Sequence, residues 1–155
     1  MSKSLSAARL LLERCEAHGH KSVTPMQLIK LAYIAHGYML GRHGSPLLDE
    51  EVEAWQYGPV VPTLYHAVKA FKSNPINAVP GAVDFAFSNE EKAVIDGVAN
   101  IYGRYNGIVL SAATHKPGTP WHQTWSTFGK NAPISNDLIE SFYSELLKQE
   151  KHSSL

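Results

Sequence analysis

Histidine is the residue type that most invites a chemical role, because eight of the 155 residues are histidines. Imidazole nitrogens bind zinc when a motif brings them together, as in a His-Glu-x-x-His helix or beside Cys-x-x-Cys pairs. Neither motif occurs, and the pairs His18/His20 and His36/His43 do not have the required spacing. Only a tertiary convergence of distant histidines would provide a site. We therefore predict no metal ion and no cofactor, with ordinary surface or core histidines.

Nucleophilic catalysis has equally little support in the sequence. There is no Gly-x-Ser-x-Gly motif, and Gly129-Lys130 lacks the preceding glycines of a phosphate-binding loop. The single cysteine, Cys15, falls on the apolar stripe of a predicted helix, which favours a buried structural thiol over a reactive one. We predict no catalytic residues and a protein that is not an enzyme.

Carboxylates are concentrated in one place, at Asp49, Glu50, Glu51 and Glu53. Paired carboxylates can serve acid–base or metal chemistry, but such a loop is more typical of a solvated or partner-facing surface. If a partner is basic or binds nucleotides, this group would steer its approach electrostatically. Reversal of the four charges would test that hypothesis, because it should change the strength of binding and its salt dependence.

Two aromatic, proline-rich segments remain, residues 53–62 (EAWQYGPVVP) and 114–121 (THKPGTPW). Proline fixes its own backbone and pushes the preceding residue toward extended conformations, so both segments should form rigid corners that position side chains. Their aromatic residues, Trp55, Tyr57 and Trp121, together with Tyr65, are candidate anchors for a protein partner. Large aromatic side chains also anchor cores, and the two interpretations are compatible.

The element that must position these segments is an apolar helix predicted over residues 26–42. Thr24 can cap it, Pro25 suits its first turn, and Gln27 completes a capping box. Apolar residues cover nearly all its sides, which is typical of a helix at the centre of a domain. Gly37 and Gly41 lie one turn apart and indicate the close approach of another element.

The remaining elements follow from apolar periodicity and turn signals. Further helices are predicted over residues 4–18, 62–72, 88–105 and 111–115, in a short turn over 119–125, and in a last helix capped by Ser135. A short extended piece is predicted at 52–57, broken by Gly58-Pro59. Residues 74–87 are predicted to form a long loop. Long loops are often functional, and this one would be an adaptable flank of the binding surface.

Together these elements predict a mainly α fold: a compact bundle of five or six helices around a buried central helix. At most a short β-strand pair is expected, near residues 52–57. The length of 155 residues suits a single domain spanning 1–155, with a core over about 6–147 and a frayed end at 148–155.

Bulk composition narrows the possible partners and the compartment. Fourteen basic and 14 acidic residues give a formal charge of zero, whereas nucleic-acid binders usually carry a basic excess, so no nucleic acid is expected. No apolar stretch is long enough for a signal peptide or a membrane span, so no membrane is expected. A lone cysteine excludes an internal disulfide, and we expect a cytoplasmic protein. Self-association into a homo-oligomer is compatible with exposed aromatic residues but is not specified by the sequence.

Three segments resemble the Panacea (SocA-like) antitoxin domain of bacterial and phage toxin–antitoxin systems. They are residues 27–37 (QLIKLAYIAHG), 46–50 (PLLDE) and 53–62, and the last resembles the family's glutamate-alanine-tryptophan, tyrosine-glycine-proline-valine signature. Residues 110–114 and the Pro120-Trp121 pair are also similar, so that the resemblance extends over about residues 6–147. The run from Trp55 to Pro62 is its most specific part.

The resemblance implies an antitoxin that neutralises a cognate toxin, encoded nearby, by direct protein–protein binding. An alternative implied by some relatives is a proteolytic adaptor, which delivers the toxin to an ATP-dependent protease. Combined with the aromatic and acidic groups above, the resemblance yields a set of candidate partner-binding residues. These are Trp55, Tyr57, Gly58, Pro59, Val60, Pro62, Tyr65, Thr114, Pro120, Trp121, Asp49, Glu50 and Glu53.

Overall fold

A computed structural model describes residues 3–153 of the chain, with side chains from residue 3 to residue 150. Its helices are α1 (Lys3–Ala17), α2 (Pro25–His43), α3 (Pro62–Val68), α4 (Asn89–Tyr102), α5 (Gly107–His115), α6 (Pro120–Phe128) and α7 (Asn136–Ser153). Its strands are β1 (Val52–Trp55), β2 (Gly58–Val60) and β3 (Ala132–Ile134). A single 3-10 turn, Lys69–Phe71, extends α3. The prediction of a mainly α fold is confirmed, with one or two more helices and one more strand than expected.

Helix α2 is the centre of the molecule, as predicted. Every residue from 27 to 40 is buried, and α1, α4, α5 and α7 all pack around the helix. The predicted capping box is present: the Thr24 hydroxyl accepts from the Gln27 amide, and the Gln27 side chain accepts from the Thr24 amide. The Gln27 side chain also donates to the carbonyls of Gly103 and Tyr105, at 3.0 and 2.9 Å, which ties the start of α2 to the end of α4.

The two glycines of α2 mark the contact with α7. A Cβ atom on Gly41 would lie 2.8 Å from the backbone of Tyr143 and Ser144, and one on Gly37 would overlap the Tyr143 ring. The predicted close approach of another element is therefore confirmed, and the element is the C-terminal helix. The absence of side chains at these two positions lets α7 come close to the buried helix α2, which increases the dispersion contacts between them.

The chain between α4 and α5 differs from the prediction. Ser88 and Glu91 form the predicted capping box of α4, but the helix ends at Tyr102 rather than near residue 105. Helix α5 begins at Gly107, four residues before the predicted start. The cause is Asn106, whose side chain accepts from the Val109 amide at 2.9 Å and therefore starts a helix, where the sequence pattern suggested that it ends one.

The three strands form an antiparallel sheet in the order β2-β1-β3. The pairs Glu53–Val60 and Trp55–Gly58 define a hairpin with Gln56 and Tyr57 in its turn, and Val52 pairs with Ile134 of β3. The prediction that Gly58-Pro59 breaks the extended segment was wrong. These residues form a second strand, which an edge position allows because proline has no N–H to donate to a neighbour. Strand β3 lies outside the predicted pair.

Two predictions about irregular segments had different outcomes. No helix or strand occurs between Phe71 and Asn89 in the structure, so the predicted long loop is confirmed. This loop is tied down, since Ile76 donates its amide to Val23 at 2.8 Å and Ser6 donates to the Val83 carbonyl at 2.7 Å. Helix α7 continues to Ser153, through most of the end that was predicted to fray, and the fraying of residues 148–155 stays a prediction. Residues 154 and 155 lie outside the described residues.

The structure also bears on the role of Cys15 and on whether a helix could span a membrane. Cys15 is fully buried, and burial raises the pKa of its thiol to about 11, so the predicted structural role is confirmed. Across the described residues, none of the helices combines the length and apolarity that crossing a membrane requires.

Candidate functional site

The β1–β2 hairpin is held in place through its main-chain oxygens. The indole N–H of Trp121 donates to the carbonyl of Trp55 at 2.7 Å, and the hydroxyl of Ser111 donates to the carbonyl of Tyr57. The Nζ of Lys30 donates to the carbonyl of Pro59 at 2.9 Å. These three donors come from α6, α5 and α2, so Trp55, Tyr57 and Pro59 are each bonded to a different helix.

Gly58 lies at the tightest point of this arrangement. Its φ is +117°, a conformation that residues with a side chain rarely adopt. A Cβ atom at this position would lie 3.0 Å from Lys30 Nζ and 3.5 Å from Thr114 Oγ1. The backbone conformation therefore favours glycine, and a Cβ atom would in addition require the Lys30 amine to shift by a few tenths of an ångström.

The residues predicted in the 114–121 segment support the hairpin from behind. Trp121 is 6% exposed and stacks on Trp125, with ring centroids 5.1 Å apart and an interplanar angle of 18°. Thr114 is buried and donates to the carbonyl of Leu110 at 2.9 Å, and Pro120 is the buried first residue of α6. These residues position the hairpin without contributing much accessible surface.

In front of the hairpin lies an open groove with a volume of about 480 Å³. We call it the aromatic groove. Its apolar lining comes from α2, the hairpin and α3, and its polar lining includes Gln56, Asn131 and four lysines. The apolar residues of the lining are Pro25, Met26, Ile29, Trp55, Tyr57, Val60 and Tyr65. Trp55, Tyr57, Val60 and Tyr65 were predicted as contact residues, and the fold brings these four together.

The aromatic side chains of the groove differ in how firmly they are held. Trp55 is half-buried, donates its indole N–H to Glu53 at 2.9 Å, and packs edge to face on Tyr65 with centroids 4.9 Å apart. Tyr57 is 63% exposed at the tip of the hairpin. A rigid frame thus presents one exposed aromatic side chain beside a fixed aromatic pair, which is the arrangement typical of an interaction hot spot.

Lys30 is a site residue that the sequence analysis missed. Its side chain lines the aromatic groove yet is only 2% exposed, and burial lowers the pKa of its amine to about 7. The signal was present, since Lys30 is the lysine within the otherwise apolar central helix and a buried charge requires a reason. The bond to the Pro59 carbonyl supplies a structural one.

A second depression adjoins the aromatic groove and has a volume of about 690 Å³. Met26 and Lys72 line both, so the two form one continuous surface. At the far side of the second depression lies Ile108, which is 77% exposed. Exposed apolar side chains therefore extend from Tyr57 across Met26, which is 41% exposed, to the start of α5.

The acidic candidates lie elsewhere. None of Asp49, Glu50 and Glu53 lines the aromatic groove. The Glu50 carboxylate accepts from the hydroxyl of Thr63, Glu53 accepts from Trp55, and Asp49 accepts from Ser4 at 3.4 Å. A role of this group in binding a partner stays a prediction. Pro62, the remaining candidate, is the partly exposed first residue of α3.

His36 has a structural role in the core. Its ring is fully buried, accepts the Leu48 amide at Nδ1 at 3.1 Å, and bonds through Nε2 to the Asn136 side chain at 2.9 Å. Burial lowers the pKa of this imidazole, which keeps the ring neutral. In the part of the chain that the structure describes, no three histidine, cysteine or carboxylate side chains are grouped so that they could hold a metal ion.

Comparisons with known proteins identify similar sequences. The chain is 26% identical over 158 residues to a protein named antitoxin SocA from Caulobacter vibrioides, covering 96% of this chain and 84% of the relative. No solved structure gives a significant match. The family described as "Antitoxin SocA-like, Panacea domain" matches residues 28–122, which include the central helix, the anchored hairpin and the Trp121 support. The chain therefore belongs to the SocA-like antitoxin family, characterised by the Panacea domain.

Proposed function

We propose that this protein neutralises a toxin by binding it directly, and that the aromatic groove is the contact surface. The observation that carries the proposal is the presentation of Tyr57, 63% exposed, on a hairpin whose backbone is bonded to three helices. A preformed surface of this kind loses little conformational entropy on binding, which favours affinity. Membership of an antitoxin family supplies the kind of partner.

Different candidate residues serve different purposes in this proposal. Trp55, Tyr57, Val60 and Tyr65 contact the toxin, because they line the groove. Gly58, Pro59, Thr114, Pro120 and Trp121 are buried and hold the hairpin in position. The role needs no nucleophile, metal ion or cofactor, because binding alone would block the toxin.

Co-expression tests the proposal. The open reading frame next to this one is expressed alone, with this protein, and with its Tyr57→Ala variant. We expect growth arrest by the neighbour alone, relief by the unaltered protein together with co-purification of the two products, and weaker relief by Tyr57→Ala. A matched control is Ile101→Ala, since Ile101 is 53% exposed but lines neither the groove nor the adjoining depression. Equal relief by both variants, or a neighbour without effect, would contradict the proposal.

The same assay separates direct binding from proteolytic delivery. In a host that lacks the ATP-dependent protease, direct neutralisation should continue and the toxin level should remain unchanged. Relief that disappears in that host, with toxin accumulating, would identify the protein as an adaptor instead. Binding to the toxin is common to both mechanisms, so the effect of Tyr57→Ala on co-purification is expected in either case.

A further inference from the structure

Positive charge is concentrated around the aromatic groove. Lys69, Lys72 and Lys130 are exposed residues of its lining, and Lys30 lies in its floor. The adjoining depression adds Lys21 and Arg104. Five exposed cationic residues thus surround one continuous surface, with the buried amine of Lys30 beneath it, although the whole chain carries a formal charge of zero.

The described lining of this surface carries positively charged side chains but no negatively charged ones. Neither depression has an aspartate or a glutamate in its described lining. Among the described residues, the ion pairs of this protein involve Lys3, Arg9, Arg14 and His18, so Lys69, Lys72 and Lys130 take part in none of them. The nearby carboxylate of Glu53 is bonded to the Trp55 indole. A bond from a neutral indole does not cancel the charge of a carboxylate, but the exposed lysines of the lining belong to no ion pair among the described residues and are available to a ligand.

The apolar and the charged features of the groove point to one kind of occupant. Tyr57, Met26 and the Trp55–Tyr65 pair offer contacts for apolar side chains, and the lysines around them offer contacts for carboxylates. We infer that the groove binds an acidic segment of a protein partner in which one or two apolar side chains are flanked by aspartate or glutamate. This inference rests on the proposed function and specifies the chemistry of the toxin surface that is recognised.

A single-stranded nucleic acid is the competing occupant, because basic grooves with aromatic side chains also bind such strands. The structure favours the protein segment. Trp55 and Tyr65 pack edge to face, with an interplanar angle of 65°. Tyr57 is the one aromatic residue of the described lining that is mostly exposed. The groove therefore offers little surface on which successive bases could stack. The balanced net charge also lacks the basic excess that phosphate binding normally requires.

Labelled peptides provide the test. The probes are the fluorescein-labelled peptide Asp-Glu-Leu-Phe-Asp-Glu, its neutral counterpart Asn-Gln-Leu-Phe-Asn-Gln, and a 12-nucleotide single-stranded RNA, each titrated with the full chain. We expect the acidic peptide to bind at least tenfold more tightly than the neutral one, with an affinity that falls as salt is added. The difference should disappear in the variant Lys69→Glu/Lys72→Glu/Lys130→Glu. These exposed substitutions should not impair folding.

The control variant is Lys92→Glu/Lys116→Glu/Lys148→Glu, which makes the same change in net charge at exposed positions outside both depressions. It should retain the preference for the acidic peptide. Any of four results would overturn the inference: equal binding of the two peptides, no binding of the acidic peptide, an unchanged preference in the groove variant, or tighter binding of the RNA than of the acidic peptide. Rescue in co-expression without peptide binding would remove this inference alone, whereas peptide binding without rescue would remove only the proposed function.

Discussion

At the scale of single residues, Gly58 combines two constraints that can be separated by mutation. Its φ of +117° disfavours any side chain, and Lys30 Nζ lies 3.0 Å from where a Cβ atom would be. Gly118 has a φ of +90° but no atom within 4 Å of that point, so it shares only the first constraint. The pair therefore distinguishes backbone strain from loss of space.

We expect Gly58→Val to lower the free energy of unfolding by more than the ~1–3 kcal/mol attributed to a strained backbone conformation, because the side chain also displaces Lys30. Gly118→Val should cost an amount within that range. Chemical denaturation followed by circular dichroism measures both. Similar losses in the two variants would show that the contact with Lys30 contributes nothing.

Lys30 makes a prediction about pH. An unfolded chain keeps this amine protonated up to a pH near its ordinary pKa of 10.5, whereas burial lowers the pKa in the folded chain to about 7. Between these values the unfolded state binds more protons, so stability should rise with pH. We expect the free energy of unfolding of the unaltered protein, measured by urea denaturation from pH 7 to pH 9, to increase more steeply than that of Lys30→Met. Parallel curves would mean that Lys30 stays charged in the fold.

The residues of the site were predictable to different degrees from the sequence. Trp55, Tyr57 and Tyr65 stand out as aromatic residues near a rigid corner, and the structure places them in one groove. Lys30 was not predicted as a site residue, because helical periodicity is judged from the apolar residues and one lysine among them does not change the result. Its role depends on the Pro59 carbonyl, 29 residues away, and such a contact leaves no local pattern.

At the scale of elements, the packing of α2 against α7 depends on two positions without side chains. Gly41 faces the backbone of Tyr143 and Ser144, which cannot move aside as a flexible side chain can. On α4, Gly97 has no atom within 4 Å of a potential Cβ and is the natural comparison.

The two glycines should respond to alanine in opposite directions. Gly41→Ala should destabilise the protein by ~1–3 kcal/mol because it overpacks a close helix–helix contact. Gly97→Ala should stabilise it by up to ~1 kcal/mol, since alanine favours the helix and nothing obstructs the methyl group. Thermal unfolding of both variants tests this pair. A stable Gly41→Ala variant would mean that the helices separate at little cost.

The starts of α2 and α4 were predicted well, unlike the start of α5. The capping boxes Thr24/Gln27 and Ser88/Glu91 are local signals, formed by residues three apart, and both are present in the structure. Strand β3 lacks such a signal, because three residues, Ala-Pro-Ile, are too few for periodicity. Its pairing with β1 joins residues about 80 positions apart, from Val52 to Ile134, and is determined by the tertiary fold.

At the scale of the whole molecule, all the elements contribute to one continuous hydrophobic core. We therefore expect the chain to unfold as a single domain in one cooperative transition. Fluorescence reports on Trp55, Trp121 and Trp125 near the sheet, and far-ultraviolet circular dichroism reports on all the helices. The two urea transitions should coincide. Separate midpoints would indicate two independently stable parts.

The composition of the chain does not show how charge is distributed over the surface of the folded molecule. Fourteen positive and 14 negative residues cancel in sum, but the two adjoining depressions are lined by cations and by no carboxylate among the described residues. From the balanced composition alone, we expected only that no nucleic acid binds. The folded arrangement separates the charges, and this separation cannot be read from a sequence in which lysines and arginines are scattered.

The anchoring of the hairpin has a consequence for the evolution of this protein. All three bonds that hold it use main-chain oxygens, of Trp55, Tyr57 and Pro59, which every amino acid possesses. Gln56 and Tyr57 are exposed, and neither is among the left-handed residues of the described chain, so many side chains can replace theirs. We therefore expect that, if the groove binds the toxin as proposed, mutations at the tip change partner preference one residue at a time while the protein still folds.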